Sequence, residues 1–408
     1  MKKVPCLYFA IPVMDEAEWL PDCLSCIDEQ TYGKIKVVIC VNQPESYWKD
    51  TVKRSICGNN KKTLEFLTAR ENPNYTVIDR SSEGNGWTGK KHGVGWARKT
   101  VMDHIASVAN DEDIIVCMDA DTNFNKDFCN SIVEGFNRYY NAVGMALPYY
   151  HRLTGDEVID RAVLRYEIYM RYYSLNLFRI RNPYCFTAIG SSMATTVKAY
   201  KAVKGMAPKL SGEDFYFLQK LRKHGSLIIW NSEQTYPATR YSERVFFGTG
   251  PALIKGKNND WDSYPLYSYS LFDEVEQTYQ LFDTLFIRDI ETPMTEFLRA
   301  TFNTSDIWQP IRDNFKTLAL FRKSCVEKVD GLRILQYLKS KQKLSENEAS
   351  YLNEYFKKFY RDIWEDHESL FKDFTFEFSS IGDLNCMREI LCVQEQTYRE
   401  LIKIIDWY

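Results

Sequence analysis

The chain has 408 residues, 45% of them hydrophobic and 26% charged, which is an ordinary soluble composition and long enough for two cores. A net charge of -3 gives no support to a nucleic-acid binder. The 11 cysteines form no regular framework, and Cys23-Leu-Ser-Cys26 has no second C-x-x-C to complete a zinc site, so they are read as reduced thiols of a cytosolic protein.

The N-terminus is basic and then apolar, like a weak signal peptide, but Pro5 and Pro12 break the run and Asp15 and Glu16 end it. A first strand, Cys6–Ile11, is the expectation. No apolar run reaches about 18 residues, so no transmembrane helix is expected. Residues 16–30 form an amphipathic helix, with Trp19, Leu20, Cys23, Leu24 and Ile27 at helical spacing. Strands follow at 36–41 and 75–79, a helix at 90–109, a strand at 113–118, a helix at 126–140 and a strand at 142–150. Val/Ile-rich runs between helices predict a mostly parallel sheet with helices on both faces.

A long helix rich in Tyr, Leu and Arg spans Asp156–Arg181, and ordinary packing with snorkelling arginines is the favoured reading over a membrane or acceptor face. Extended structure follows at 186–196, a helix at 213–224 stopped by Gly225, and a strand at 226–230. The Gly- and Lys-bearing segment Val245–Trp261 reads as a mobile loop. Beyond Ser268 helical patterns dominate. Ser345 and Glu348 suggest a capping box, and Leu384, Met387, Leu391, Tyr398, Leu401 and Ile405 mark one face of a last helix. The expected division is an α/β domain over residues 1–265, with halves at about 1–125 and 126–265, then a mainly helical region over 266–408. Aromatics make up 15% of the chain and are mostly core, with some left to stack on sugar rings or to meet a lipid or protein partner.

The stretch Asp113–Asn125 carries the chemistry. A buried strand ends in two carboxylates, Asp119 and Asp121, one residue apart. Ligands of parallel α/β sheets bind beyond the carboxyl ends of the strands. A divalent cation, Mn²⁺ or Mg²⁺, together with a diphosphate would neutralise the pair. Taken alone, Asp121 or Asn123 capping the next helix explains it as well. Glu213 and Asp214 open a later helix, where acids also simply suit the helix dipole. Lys90 and Lys91 follow a Gly-rich turn and could meet phosphate, or be a solvated pair. No G-x-G-x-x-G or Walker pattern is present. Arg240, Arg244 and Lys255 could clamp a diphosphate, or form a surface cluster. His151 is a further candidate metal ligand among five scattered histidines, though a lone His is more often satisfied by hydrogen bonds.

Three ordered motifs, "IPVMDEAEWLPDCLSCIDEQ", "DADTNF" and "LSGEDFYFLQKLRKHG", resemble the family 2 glycosyltransferases with a GT-A fold over residues 4 to about 230. The resemblance implies a doubly wound, mostly parallel sheet and a nucleotide-sugar donor, UDP-linked as first choice and GDP-linked as second. It implies that Asp119 contacts ribose and metal, that Asp121 ligates the metal, that Asp214 is the general base and that Glu213 supports it. Pro12, Asp15, Glu16 and Asn42 fall at the donor-binding ends of the first two strands. Asp15 stands where the family has Asn, and Asn42 where it has the Asp that holds base or ribose. "TRYSERVFFG" echoes the processive Gln-x-x-Arg-Trp signature only loosely, which argues for one sugar per encounter.

The expected protein is a metal-dependent, inverting glycosyltransferase with a carbohydrate or lipid-linked acceptor, located in the cytoplasm, with peripheral contact at the inner membrane face left open. The alternatives are a retaining GT-A transferase and a non-catalytic carbohydrate- or lipid-binding protein. A nucleotidylyltransferase is disfavoured, because "IPVMDEAE" lacks its Gly-rich signature.

Overall fold

The computed structural model describes residues 4–89, 91–242, 249–257, 260–342 and 348–406. The chain forms two compact units. One comprises Met1–Val163, Thr187–Asn259 and Arg399–Ile405, and the other Leu164–Phe186, Asp260–Tyr398 and Asp406–Tyr408. Among the described residues no helix is long and apolar enough to cross a membrane.

The first unit is built on strands β1 (Leu7–Val13), β2 (Ile35–Asn42), β3 (Tyr75–Arg80), β4 (Ile114–Cys117), β5 (Thr122–Phe124), β6 (Gly144–Ala146), β7 (Met193–Thr196), β8 (Leu227–Ile228), β9 (Thr235–Pro237) and β10 (Ile404–Ile405). Its helices are α1 (Leu20–Asp28), α2 (Arg54–Ala69), α3 (Val94–Val108), α4 (Phe128–Arg138), the first turns of α5 (Glu157–Arg179), α6 (Val197–Ala202), α7 (Glu213–His224) and α8 (Thr249–Lys257).

Eight strands form one sheet in the order β10-β8-β6-β7-β4-β1-β2-β3. β1 pairs in parallel with β2 and β4, β2 with β3, and β6 with β8. β7 runs antiparallel between β4 and β6, and β10 lies antiparallel on β8. The sheet is therefore mostly parallel, as the sequence suggested, with β7 and β10 as its antiparallel members. Strands as short as Met193–Thr196 leave too little pattern to reveal direction. Phe9, Ile11, Val37, Ile39 and Val116 pack with Leu24, Ile132 and Phe136 in one buried cluster. Such apolar runs are affordable only because helices cover both faces.

The small sheet β5-β9 matters most for the site. β5 begins directly after Asp121. Thr122 pairs with Pro237, and the Ala238 amide donates to the Asp121 carbonyl at 3.1 Å. This ladder carries the chain from β9 back over the end of β4.

Three helices depart from the sequence reading. α2 and α6 were not anticipated, and Thr249–Lys257 is helix α8 rather than loop. Pro251 falls in the first turn of α8, where its missing N–H costs nothing, and Ala252 and Leu253 are fully buried. Residues 245–248 and 258–259 of the expected loop, and Ser345 of the expected capping box, lie outside the described residues.

The second unit is helical. Its longest segments are the remainder of α5 and most of the helix Ile381–Ile402. Tyr172 donates to the Tyr267 carbonyl at 3.0 Å, and Tyr184 to the Val326 carbonyl at 3.1 Å. The Tyr-rich pattern is thus largely core, with the Tyr172 and Tyr184 hydroxyls turned to backbone acceptors.

Candidate active site

Six side chains converge beyond the carboxyl ends of β1 and β4. Asp119 and Asp121 leave β4 on the exposed side, at 36% and 17% side-chain exposure. Each is held by a different arginine. Arg98, buried on α3, donates from Nη2 to Asp119 Oδ1 at 2.7 Å and from Nε to Glu213 Oε1 at 3.2 Å. Arg240, three residues past β9, donates from Nε to Asp121 Oδ2 at 2.9 Å and from Nη2 to both oxygens of Glu16, at 2.7 and 2.6 Å. The Trp19 ring lies 4.8 Å from the Arg240 guanidinium carbon, with 37% of the residue exposed.

The local sequence explains each placement. Asp15 adopts φ 62°, a left-handed conformation that Asp tolerates, and the chain turns there at the end of β1. Glu16 is buried by that turn, at 3% exposure, and so needs its arginine. Glu213 and Asp214 are the first residues of α7, after Gly212 at φ 73°.

Burial and neighbouring acids shape the charges. The Asp214 carboxyl is pushed up to about 7, first by burial and then by Glu213 beside it. Burial also raises Asp121, with Arg240 opposing. Burial disfavours the charge on Arg98, but Asp119 and Glu213 outweigh it and keep the guanidinium firmly protonated. Not every strand-end acid behaves this way. At the end of β3, burial works against the Asp79 carboxylate, yet hydrogen bonds from Ser82, Ser81 and Asn85 hold it down at about 2. That carboxylate is satisfied by its own turn.

The other candidates fall in different places. Pro12 is buried inside β1, opposite Cys40. Asp15 accepts from Asn59 Nδ2 at 2.5 Å, and its amide donates to Asn60 Oδ1 at 2.9 Å, which ties β1 to α2. Asn42 is 3% exposed, donates to the Val13 carbonyl at 2.9 Å and accepts from Trp87 Nε1 at 3.1 Å. Asn42 thereby fastens the ends of β1 and β2 to Trp87. Lys91 is exposed, 5.8 Å from the Trp96 ring, and Lys255 is half-buried on α8. Lys90 and Arg244 lie outside the described residues.

His151 is fully buried and meets the Tyr149 ring edge-on at 5.9 Å. Among the described residues no three His, Cys, Asp or Glu side chains form a group able to hold a metal ion, so His151 does not join Asp119 and Asp121 in one. The donors at hand are two carboxylates one residue apart. That set suits a hard cation taking its remaining ligands from phosphate oxygens and water, and it does not make a protein-only cage.

Arg98 and Trp19 were not singled out in the sequence as site residues. A signal for Arg98 was present. It falls on the apolar stripe Ala97, Val101, Met102, Ile105 of α3, where a charge demands a buried partner.

Residues 114–264 match the family described as glycosyl transferase family group 2. No curated protein sequence matches the chain. Among solved structures, S. aureus TarS 1–349 in complex with UDP-GlcNAc aligns at 11% identity and a TM-score of 0.42, covering 79% of this chain and 91% of that one. The mannosyltransferase PcManGT from Pyrobaculum calidifontis, in complex with GDP-Man and Mn²⁺, aligns at 13% identity and a TM-score of 0.35, covering 96% and 88%. GalNAc-T7 with UDP, GalNAc and Mn²⁺ aligns at 11% identity and a TM-score of 0.39, covering 74% and 55%. The family match takes in the D-x-D of Asp119 and Asp121 and the Glu213-Asp214 pair that Arg98 links to it, so residues 114–264, which carry these candidate site residues, are similar to glycosyl transferase family group 2.

Proposed function

We propose that the chain transfers one sugar per encounter from a nucleotide-sugar donor to an acceptor hydroxyl, with inversion at the anomeric carbon. The acceptor oxygen attacks the anomeric carbon, its bond to the diphosphate oxygen breaks, and the hydroxyl proton passes to Asp214. Asp119 and Asp121 are the residues that would hold a divalent cation, which when bound would supply positive charge to the departing diphosphate. Arg240 holds Asp121 and is within reach of the same diphosphate, to which a guanidinium binds well through two oxygens. UDP-sugars are the first choice of donor and GDP-sugars the second. TarS and PcManGT were solved with donors of these two kinds.

The observation that carries the reading is the placement of Asp214 at the start of α7, beside Glu213, which Arg98 joins to Asp119. A carboxyl poised at about 7 beside a second acid is suited to take a proton near neutrality. A helix-capping role would not require it to be raised. This favours a base-assisted, inverting route over a retaining one.

The test is turnover of UDP- and GDP-hexoses with Mn²⁺, with the configuration of the product determined. Inverted product that requires Asp214 supports the proposal. Retained configuration excludes the role given to Asp214, and binding without turnover leaves a carbohydrate-binding protein.

A further inference from the structure

We propose that Arg98 is a positioning residue for sugar transfer, holding the first turn of α7, and so Asp214, in fixed register with Asp119. The inference rests on the transferase reading above. Arg98 acts through Glu213 and has no assigned contact with a reacting atom.

Three segments far apart in the chain meet on this one guanidinium, which is 1% exposed. Nη2 reaches Asp119 past β4, Nε reaches Glu213 on α7, and Nη1 donates to the Gly190 carbonyl ahead of β7 at 2.9 Å. The planar fork presents its donors to these three acceptors from separate nitrogens in fixed directions, whereas a lysine ammonium would have to reach all of them from one nitrogen on a flexible stem. Gly190 is part of the same fitting. A Cβ there would stand 2.6 Å from Arg98 Nη2 and 3.4 Å from Asp119 Oδ2, so the absence of a side chain is what admits the fork.

α7 needs such a tether. Its cap is Gly212, which has no side chain to fasten the first turn. Glu213 is buried and would be an uncompensated charge without Arg98. Held by it, Glu213 fixes the turn from which Asp214 projects, and transfer is sensitive to such placement, since a 1 Å error can cost about 10²-fold.

The experiment compares the parent with Arg98→Lys, Gly190→Ala, Glu213→Gln and the Arg98→Lys/Glu213→Gln double variant, using nucleotide release from a UDP-hexose with Mn²⁺. Folding is followed by thermal melting. Hydrogen exchange of the amides at 214–217 reports the tether directly. Arg98→Lys keeps the charge and loses the fork. Gly190→Ala keeps the fork and displaces it. Both should lower kcat by about 10²-fold while the donor KM moves by less than about threefold, with faster exchange in the first turn of α7. The double variant should be no slower than Arg98→Lys alone, because the pair acts as a unit. A folded Arg98→Lys variant with parental kcat would overturn the proposal, as would losses that multiply in the double variant or unaltered exchange in both Arg98→Lys and Gly190→Ala. Absence of turnover by the parent with every nucleotide sugar would instead remove the transferase reading, and this proposal with it.

Discussion

In the helical unit, Arg171 lies between Glu167 and Glu395, with Nε 3.2 Å from one and Nη1 2.6 Å from the other. All three are at 1% exposure or less, and Arg388 stands 3.9 Å from Glu167. In the sheet unit, two arginines hold Glu16, Asp119, Asp121 and Glu213, and Asp214 adjoins them. In the first cluster Arg171, Arg388, Glu167 and Glu395 are buried, and Arg388 also meets the exposed Glu389 at 3.2 Å. Among the described residues, the second sets five acids against two arginines and is partly open to solvent at Asp119 and Asp121. Buried charges paired as in the first stabilise one another. An open group of acids at the ends of parallel strands would suit a cation from outside, which under the proposed function separates a site from a structural ion cluster built of the same residue types.

The comparison can be broken by substitutions on either side. The largest effect is expected at the open cluster. Asp214→Asn should reduce transfer by ~10²–10⁴-fold and leave donor binding in place. Lost donor binding with unchanged turnover would reverse the assignment.

On the buried side the effect should appear in stability. Arg171→Met removes the shared partner of two buried carboxylates and should cost roughly 3–5 kcal/mol in denaturant unfolding. Any fall in activity should follow the loss of folded protein. A specific change in donor KM with the melting temperature intact would show that this cluster serves the chemistry after all.

Asn42→Ala sharpens the boundary between the two roles. Its amide links the ends of β1 and β2 to Trp87, so the change should cost about 1–3 kcal/mol of stability. Donor affinity, measured on folded protein, should be unchanged. A selective loss of affinity would return Asn42 to the donor site.

The pH dependence should carry a smaller signature of Asp214. Its carboxyl, raised to about 7, must be ionised to accept a proton, so kcat should climb through a limb near that pH and the limb should vanish in Asp214→Asn. The sign for stability is opposite. Between about pH 4 and 7 the folded chain keeps a proton there that the unfolded chain has lost, so this group's contribution falls as pH rises through that window. Equal slopes of stability against pH in the parent and Asp214→Asn would contradict the raised value.

Much of this site could be read from the sequence because it rests on local patterns. Asp119 and Asp121 follow an apolar strand at a fixed offset, and Glu213-Asp214 opens a helix that Gly225 closes. What remained hidden was carried by long-range contacts or by polar burial. α2 has Gly58, Asn59 and Asn60 in its middle, all poor helix formers, and its buried face is Cys57, Asn60, Thr63 and Leu67, which gives no apolar stripe. The antiparallel place of β7 depends on partners distant in sequence. Arg240 reaches Asp121 because β9 pairs with β5, and three-residue strands leave no periodicity to detect. The loop expected at 245–261 failed where Pro251 starts a helix instead of breaking one.

The most direct test of the central claim, that the open acidic cluster receives a cation together with a nucleotide, is the melting temperature with UDP or GDP, with and without Mn²⁺, in the parent and in Asp121→Ala. A ligand of the folded state raises apparent stability by mass action. The account predicts a rise in the parent with one of the nucleotides only when Mn²⁺ is present, and no such rise in Asp121→Ala. The same rise without the metal, or in Asp121→Ala, would contradict it.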